Sequence, residues 1–157
     1  MKKEIKIISD FNTDIFYNYL NNKIDDKFYK LVKPNYEILS SSAYEIINSN
    51  SKYHTIIVWS RKEETVKKFS KLINFEKISK NKFNKELKNY INILLKLSEK
   101  TENLIVTSWI LPNSEKGQYL KDFTSDDGLT KNLFKSNIQI ADSLKKKTNT
   151  YFFNIDS

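Results

Sequence analysis

Short apolar runs rich in β-branched residues, separated by stretches with helical spacing, recur along this chain. That alternation constrains the fold more than any other feature. The clearest run is Thr55-Ile56-Ile57-Val58-Trp59. It is apolar at successive rather than alternate positions, as a strand covered on both faces requires. Similar runs predict strands at Ile5 to Ile8, Leu104 to Thr107 and Tyr151 to Ile155, with a weaker one at Tyr29 to Val32 closed by Pro34. Between them, helical patterns cover Thr13 to Asn21, Ser42 to Asn48 and Glu63 to Phe75, the last with Val66, Phe69, Leu72 and Ile73 at helical spacing. A long helix follows, with Phe83, Leu87, Tyr90, Ile91, Leu94, Leu95 and Leu97 as its apolar stripe. The segment from Pro112 to Gly128 holds a proline and both glycines and reads as a loop. The last helix begins at Thr130 and carries Leu133, Phe134, Ile138, Ala141 and Leu144 on one face.

Strands that alternate with helices predict βαβ units and a parallel sheet. Right-handed crossovers through five strands favour the order 2-1-3-4-5 of a flavodoxin-like sheet in a three-layer α/β/α domain. The 157 residues fit one such domain, 1–157, with no repeat and no low-complexity linker. In sheets of this kind ligands bind beyond the carboxyl ends of the strands, near the switch point between the first and third. The residues delivered there are Ser9 to Asp14, Lys33 to Tyr36, Ser60 to Glu63, Ser108 to Asn113 and Asn154 to Asp156.

The absence of cysteine excludes a disulfide framework and a thiolate zinc site. The start, Met1 to Ser9, lacks the apolar core and cleavage site of a signal peptide. No apolar run approaches the length needed to cross a bilayer, so a cytoplasmic address is expected. The net charge of +8 is built from 26 lysines and one arginine, Arg61. Specific nucleic-acid sites lean on arginine for bidentate contacts. Lysine spread along the chain reads instead as a solvated surface, with weak non-specific nucleic-acid binding at most.

The segments IISDFNTDIFYNYL, TIIVWSRKEE and IVTSWILPN, together with KGQYLKDFTSDDGLTKNLFKSNIQIADSL leading into TYFFNID, cover nearly all of the chain. In sequence and order they resemble the amino-terminal SGNH-hydrolase-like domain of the FkbH-like proteins, a branch of the haloacid-dehalogenase superfamily (subfamily IIIC). The resemblance implies an SGNH-like version of the sheet, as a single domain or as the amino-terminal part of a longer protein. In that family the domain precedes a haloacid-dehalogenase-like domain that forms glyceryl thioesters on an acyl carrier protein. The implied partners are therefore an acyl carrier protein or a carboxy-terminal haloacid-dehalogenase-like domain. The implied setting is carrier-protein or surface-polysaccharide biosynthesis.

The SGNH chemistry does not carry over. Its nucleophilic serine stands third in a Gly-Asp-Ser turn after the first strand; here that turn is Ser9-Asp10-Phe11. Its oxyanion-hole Gly-x-Asn-Asp loop corresponds to Ser60-Arg61-Lys62-Glu63. Its Asp-x-x-His pair is expected after the fifth strand, where this sequence reaches Ser157. The single histidine, His54, precedes the third strand, at the edge opposite any nucleophile, and acyl transfer needs that hydrogen bond. The expectation is a catalytically degenerate module with no catalytic residue, no metal and no cofactor. An active SGNH-type esterase or haloacid-dehalogenase-type phosphatase, and a basic nucleic-acid-binding domain, stand as alternatives.

Asp10-Phe11-Asn12-Thr13-Asp14 also resembles the Asp-x-Asp loop of haloacid-dehalogenase phosphatases, but Asn12 cannot move a proton. The plainer reading has Asp10 and Asn12 shaping a turn, Thr13 capping the helix and Asp14 favouring its positive end. Arg61 either grips an anion or serves a surface ion pair. Trp59 and Trp109 either wall a pocket or pack the core. Ser40-Ser41-Ser42 reads as the loop leading into a helix, and Asp122, Asp126 and Asp127 as turn and cap residues rather than a cation site. Asp10, Asn12, Ser60, Arg61 and Trp109 are the candidates for one ligand-binding cleft.

Overall fold

The computed structural model of the chain describes residues 2–111 and 122–155. Its centre is an all-parallel sheet of β1 (Lys3–Ser9), β2 (Tyr29–Val32), β3 (Tyr53–Trp59), β4 (Thr101–Thr107) and β5 (Thr150–Phe153). The five strands run in the order 2-1-3-4-5, as the alternating pattern predicts. The connecting helices are α1 (Asp14–Asn21), α2 (Leu39–Asn48), α3 (Lys62–Thr65), α4 (Lys68–Ile73), α5 (Lys80–Ser98) and α6 (Leu129–Leu144).

Successive side chains of a strand point to opposite faces, so each apolar run feeds two cores. Ile8, Ile56, Val58, Leu104 and Val106 join Ala43 of α2, Phe69 of α4, Leu94 of α5 and Ile140 of α6 in the larger core. Ile5, Ile7, Leu31 and Ile57 form the smaller core, where α1 lays Phe16, Tyr17 and Leu20 against them. Among the described residues α1 is the one helix on that face. The cover thins toward β5: Tyr151, in register with Ile105 of this face, is 52% exposed, and Phe153 is 59% exposed.

Several local expectations are corrected. The single helix expected over Glu63 to Phe75 is two, α3 and α4, because Val66 takes an extended conformation and is fully buried. The break leaves the Lys68 N–H free to donate to Glu86 Oε2 of α5 at 3.2 Å. The helix α4 closes on Phe75 with φ 59°. There Phe75 N–H donates to Leu72 O and Glu76 N–H to Lys71 O, a Schellman pair that glycine usually closes. Ser40 to Ser42 lie within the first turn of α2, whose amide groups donate back to Ile38 O, rather than before it. Thr13 makes no side-chain cap to α1; Asn12 Oδ1 instead accepts the Asp14 N–H at 2.8 Å. On α6 the sheet-facing residues are Leu129, Leu133, Ile140 and Leu144, while Phe134 and Ile138 are exposed. The fifth strand ends at Phe153, before Ile155.

Of the loop expected over Pro112 to Gly128, residues 112–121 lie outside the described residues, and the remainder is irregular. There Asp122 accepts the Thr130 N–H and hydroxyl at the start of α6. Gly128 is required beneath it, since a Cβ at that position would stand 1.8 Å from the Asp122 carbonyl oxygen. Asp126 pairs with Lys131 and Lys80, each at 3.0 Å, and the hydrogen bonds from Lys131 and Lys80 lower its carboxyl pKa to about 2. Asp122 thus acts as a cap residue, and Asp126 serves ion pairs. No helix among the described residues is long and apolar enough to cross a membrane.

Candidate functional site

The carboxyl edge is assembled by side chains that tie each strand-end loop to the next. After β1, Ser9 Oγ donates to Phe11 O at 2.9 Å and accepts the Phe11 N–H at 3.3 Å. This tight turn places the Phe11 ring edge-on to Trp59 at the end of β3, with centroids 5.5 Å apart. Asp10 reaches across to the loop after β3. Its two carboxylate oxygens accept the Arg61 N–H at 3.1 and 3.2 Å, and Arg61 Nη2 donates to Asp10 O at 3.2 Å. The Arg61 guanidinium also stands 3.7 Å from Asp10 Oδ1 and 3.7 Å from Glu64 Oε1. The Asp10 side chain is only 3% exposed. Burial raises its carboxyl pKa above the usual range, and the Arg61 N–H and charge offset part of that rise.

The loops after β3 and β4 are joined through Ser60, whose Oγ accepts the Trp109 indole N–H at 3.3 Å and shares a hydrogen bond with the Tyr90 hydroxyl at 3.2 Å. Tyr90 comes from α5 and stacks on Trp109 with centroids 5.2 Å apart. Burial raises the pKa of its phenol well above the ordinary value. Asn137 of α6 holds the Trp109 backbone on both sides, accepting its N–H at 3.0 Å and donating to its carbonyl at 2.8 Å. Ser108 Oγ links β4 to β5, accepting the Ile155 N–H and donating to Asn154 Oδ1, both at 3.1 Å.

These clasps enclose a cleft of about 330 Å³. Its walls are apolar: Phe11, Trp59, Trp109, Ile110 and Ile155. Its polar side is Ser60, Ser108 and the run Arg61-Lys62-Glu63. Lys62 is only 4% exposed, with its Nζ 3.5 Å from Glu63 Oε2. That carboxylate oxygen is itself buried and, among the described residues, accepts no hydrogen bond.

Of the five sequence candidates, the structure brings Asp10, Ser60, Arg61 and Trp109 together at this edge. Ser60, Arg61 and Trp109 line the cleft, and Asp10 lies behind Arg61. Asn12 does not join them; it is exposed and occupied with the start of α1. Trp109 serves both of its expected roles at once, as a buried member of the larger core and a wall of the cleft. Lys62, Glu63 and Phe11 line the cleft without having been singled out for it. Their only sequence signal is membership of the loops after β1 and β3. His54 lies at the amino edge, 3.6 Å from Glu102, beside a separate open groove of about 600 Å³. Among the described residues no group of three or more His, Asp or Glu side chains is placed to hold a metal ion.

No protein-family model matches the chain, and no curated protein matches it. A solved structure does: the crystal structure of the N-terminal part of the protein BF1531 from Bacteroides fragilis, containing a phosphatase domain and complexed with magnesium. The TM-score is 0.68 at 13% sequence identity, over 98% of this chain and 40% of that one. The likeness is one of fold, an α/β domain around a five-stranded parallel sheet. The chain spans well under half of the solved protein it matches.

Proposed function

We propose that this domain is a catalytically silent, SGNH-like ligand-binding module that works through the cleft at the carboxyl edge of its sheet. One observation carries the reading. Phe11, which has no nucleophilic atom, stands where the SGNH turn needs its serine, and its ring lines the cleft. The neighbouring hydroxyls give no substitute nucleophile. Ser9 is fully buried and bonded twice to Phe11, Ser60 is bonded to Trp109 and Tyr90, Ser108 is bonded to Asn154 and the Ile155 N–H, and none of them has a histidine beside it. By its resemblance to the FkbH-like proteins, the module serves a carrier-protein or surface-polysaccharide pathway. Its partner is an acyl carrier protein, drawn to the lysine-rich surface, or a carboxy-terminal haloacid-dehalogenase-like domain.

A haloacid-dehalogenase-type phosphatase is the second reading, favoured by the phosphatase domain of the solved neighbour. It would make Asp10 the attacking group. Against it, Asp10 is held by the Arg61 N–H through both oxygens, and Asn12 stands in place of the second acid. Purified protein assayed with p-nitrophenyl acetate, and with p-nitrophenyl phosphate plus magnesium, separates the readings. The module turns over neither above background. Phosphate release that is lost in Asp10→Asn establishes the phosphatase, and stoichiometric labelling of Ser9 by a serine-directed phosphonate establishes the esterase.

A further inference from the structure

We propose that the open half of the smaller-core face, over β4 and β5, docks an amphipathic helix of a partner protein, apolar on one side and acidic on its flanks. This surface is independent of whether the cleft takes a ligand. One register row on the face runs through Ile7, Ile57, Ile105 and Tyr151, across β1, β3, β4 and β5. Along that row Ile7 and Ile57 are buried and Ile105 is partly buried, while Tyr151 is more than half exposed, as is Phe153 two residues further on. Neighbouring strands lie about 4.8 Å apart and packed helices about 8–10 Å apart, so one helix covers about two to three strands. The helix α1 is taken up by β2, β1 and β3, where Phe16, Tyr17 and Leu20 meet Leu31, Ile5, Ile7 and Ile57. Strands of an all-parallel sheet are covered on both faces, and by helices. The occupant that continues the interface begun by α1 is therefore a second helix alongside it. A second copy of the chain fits less well, because α1 rises beside the strip and keeps the flat face of another sheet off it. Charge points to an acidic helix. Lys145, Lys146 and Lys147 precede β5, at the amino end of the strip. Lys145 pairs with Asp142 and Lys147 with Glu99, while Lys146 is exposed and in no ion pair among the described residues. A helix laid antiparallel to the strands, as crossover helices are, ends beside these lysines, where cations favour the negative end of its dipole.

The probe is a peptide of about 15 residues, the helical length that matches the 7 residues of β4, with leucine on one face and glutamate on the other. Two controls accompany it: the same composition in strict alternation, which is a strand pattern, and a version with lysine in place of glutamate. Isotope-labelled protein is titrated with each peptide and its amide spectrum is followed. The acidic helical peptide should bind, gain helicity by circular dichroism, and perturb Ile105, Tyr151 and Phe153 before any residue of α6. In the double variant Tyr151→Thr/Phe153→Thr, which keeps strand-forming residues in β5, its affinity should fall at least about tenfold, as the loss of two aromatic anchors does at an interface. The lysine version should bind more weakly, most clearly at low salt. Absence of binding, perturbations centred elsewhere, or unchanged affinity in the folded double variant overturns the docking site. Equal or tighter binding of the alternating peptide overturns the helix in favour of strand pairing at the β5 edge. Self-association in sedimentation that the double variant abolishes, and that excess peptide does not compete away, overturns it in favour of a second copy. Equal binding of the lysine version overturns the acidic assignment. Should the double variant fail to fold, the map of perturbations on the native protein decides.

Discussion

Asp10 is the residue through which the geometry of the carboxyl edge is most directly tested, and Asp10→Ala and Asp10→Asn should behave differently. In the native protein both carboxylate oxygens receive the Arg61 N–H, at 3.1 and 3.2 Å, and the side chain is 3% exposed. Alanine leaves that N–H with no protein acceptor from the first loop and should cost about 1–3 kcal/mol. Asparagine keeps one acceptor oxygen and removes a charge that burial disfavours, so at pH 7 it should stay within about 1 kcal/mol of the native protein. The pH dependence follows from the direction of the Asp10 shift, upward from the ordinary aspartate value of 3.8. Above the unfolded value and up to the raised folded value, the folded state binds more of this proton than the unfolded state does. The contribution of Asp10 to stability is therefore fully present below that window and falls as pH rises through it. Asparagine does not titrate, so Asp10→Asn should gain on the native protein between pH 4 and pH 7. Urea unfolding followed by tryptophan fluorescence at the two pH values measures both effects. If Asp10→Asn loses as much as Asp10→Ala at pH 7, or loses ground on the native protein as pH rises, then attraction to Arg61 outweighs burial and the reasoning is wrong.

Two further substitutions test the local backbone readings. Phe75→Gly should stabilise the protein by about 0.5–1 kcal/mol in thermal or urea unfolding, because phenylalanine is strained at φ 59° where glycine is not; a loss would mean that contacts of the Phe75 ring outweigh the strain. Gly128→Ala should destabilise by about 1–3 kcal/mol, since its Cβ meets the Asp122 carbonyl oxygen at 1.8 Å and the cap on Thr130 must shift; an unchanged melting temperature would contradict the packing described at the start of α6.

The order of the sheet was legible because it follows from strand count, alternation and the handedness of crossovers, none of which depends on side-chain detail. Thr55 to Trp59 reads as a doubly covered strand and is one, with Ile56 and Val58 in the larger core and Ile57 in the smaller. Helix ends were less legible because tertiary contacts decide them. Val66 fits the apolar spacing of a continuous helix, and it is the depth of its burial, with Glu86 waiting for the freed Lys68 N–H, that makes the break favourable. Phe134 and Ile138 sit close enough to the sheet-facing stripe of α6 to be counted with it. The stripe that packs runs instead through Leu133, Ile140 and Leu144.

The site was legible as a location and not as a chemistry. Topology alone brings the loops after β1, β3 and β4 to one edge, which is why Asp10, Ser60, Arg61 and Trp109 could be grouped from the sequence. Whether a cation there is free for a ligand depends on partners far away in the chain, and Arg61 finds one in Asp10, fifty-one residues earlier. The same loop hides a lysine: Lys62 would be read as solvated by composition, yet it is 4% exposed beside Glu63. A buried lysine needs a nearby carboxylate, and a carboxylate so committed keeps an oxygen away from water. No spacing rule over Arg61-Lys62-Glu63-Glu64 distinguishes Glu63, beside the buried lysine, from the neighbouring acid, whose side chain is 39% exposed between Arg61 and Lys67.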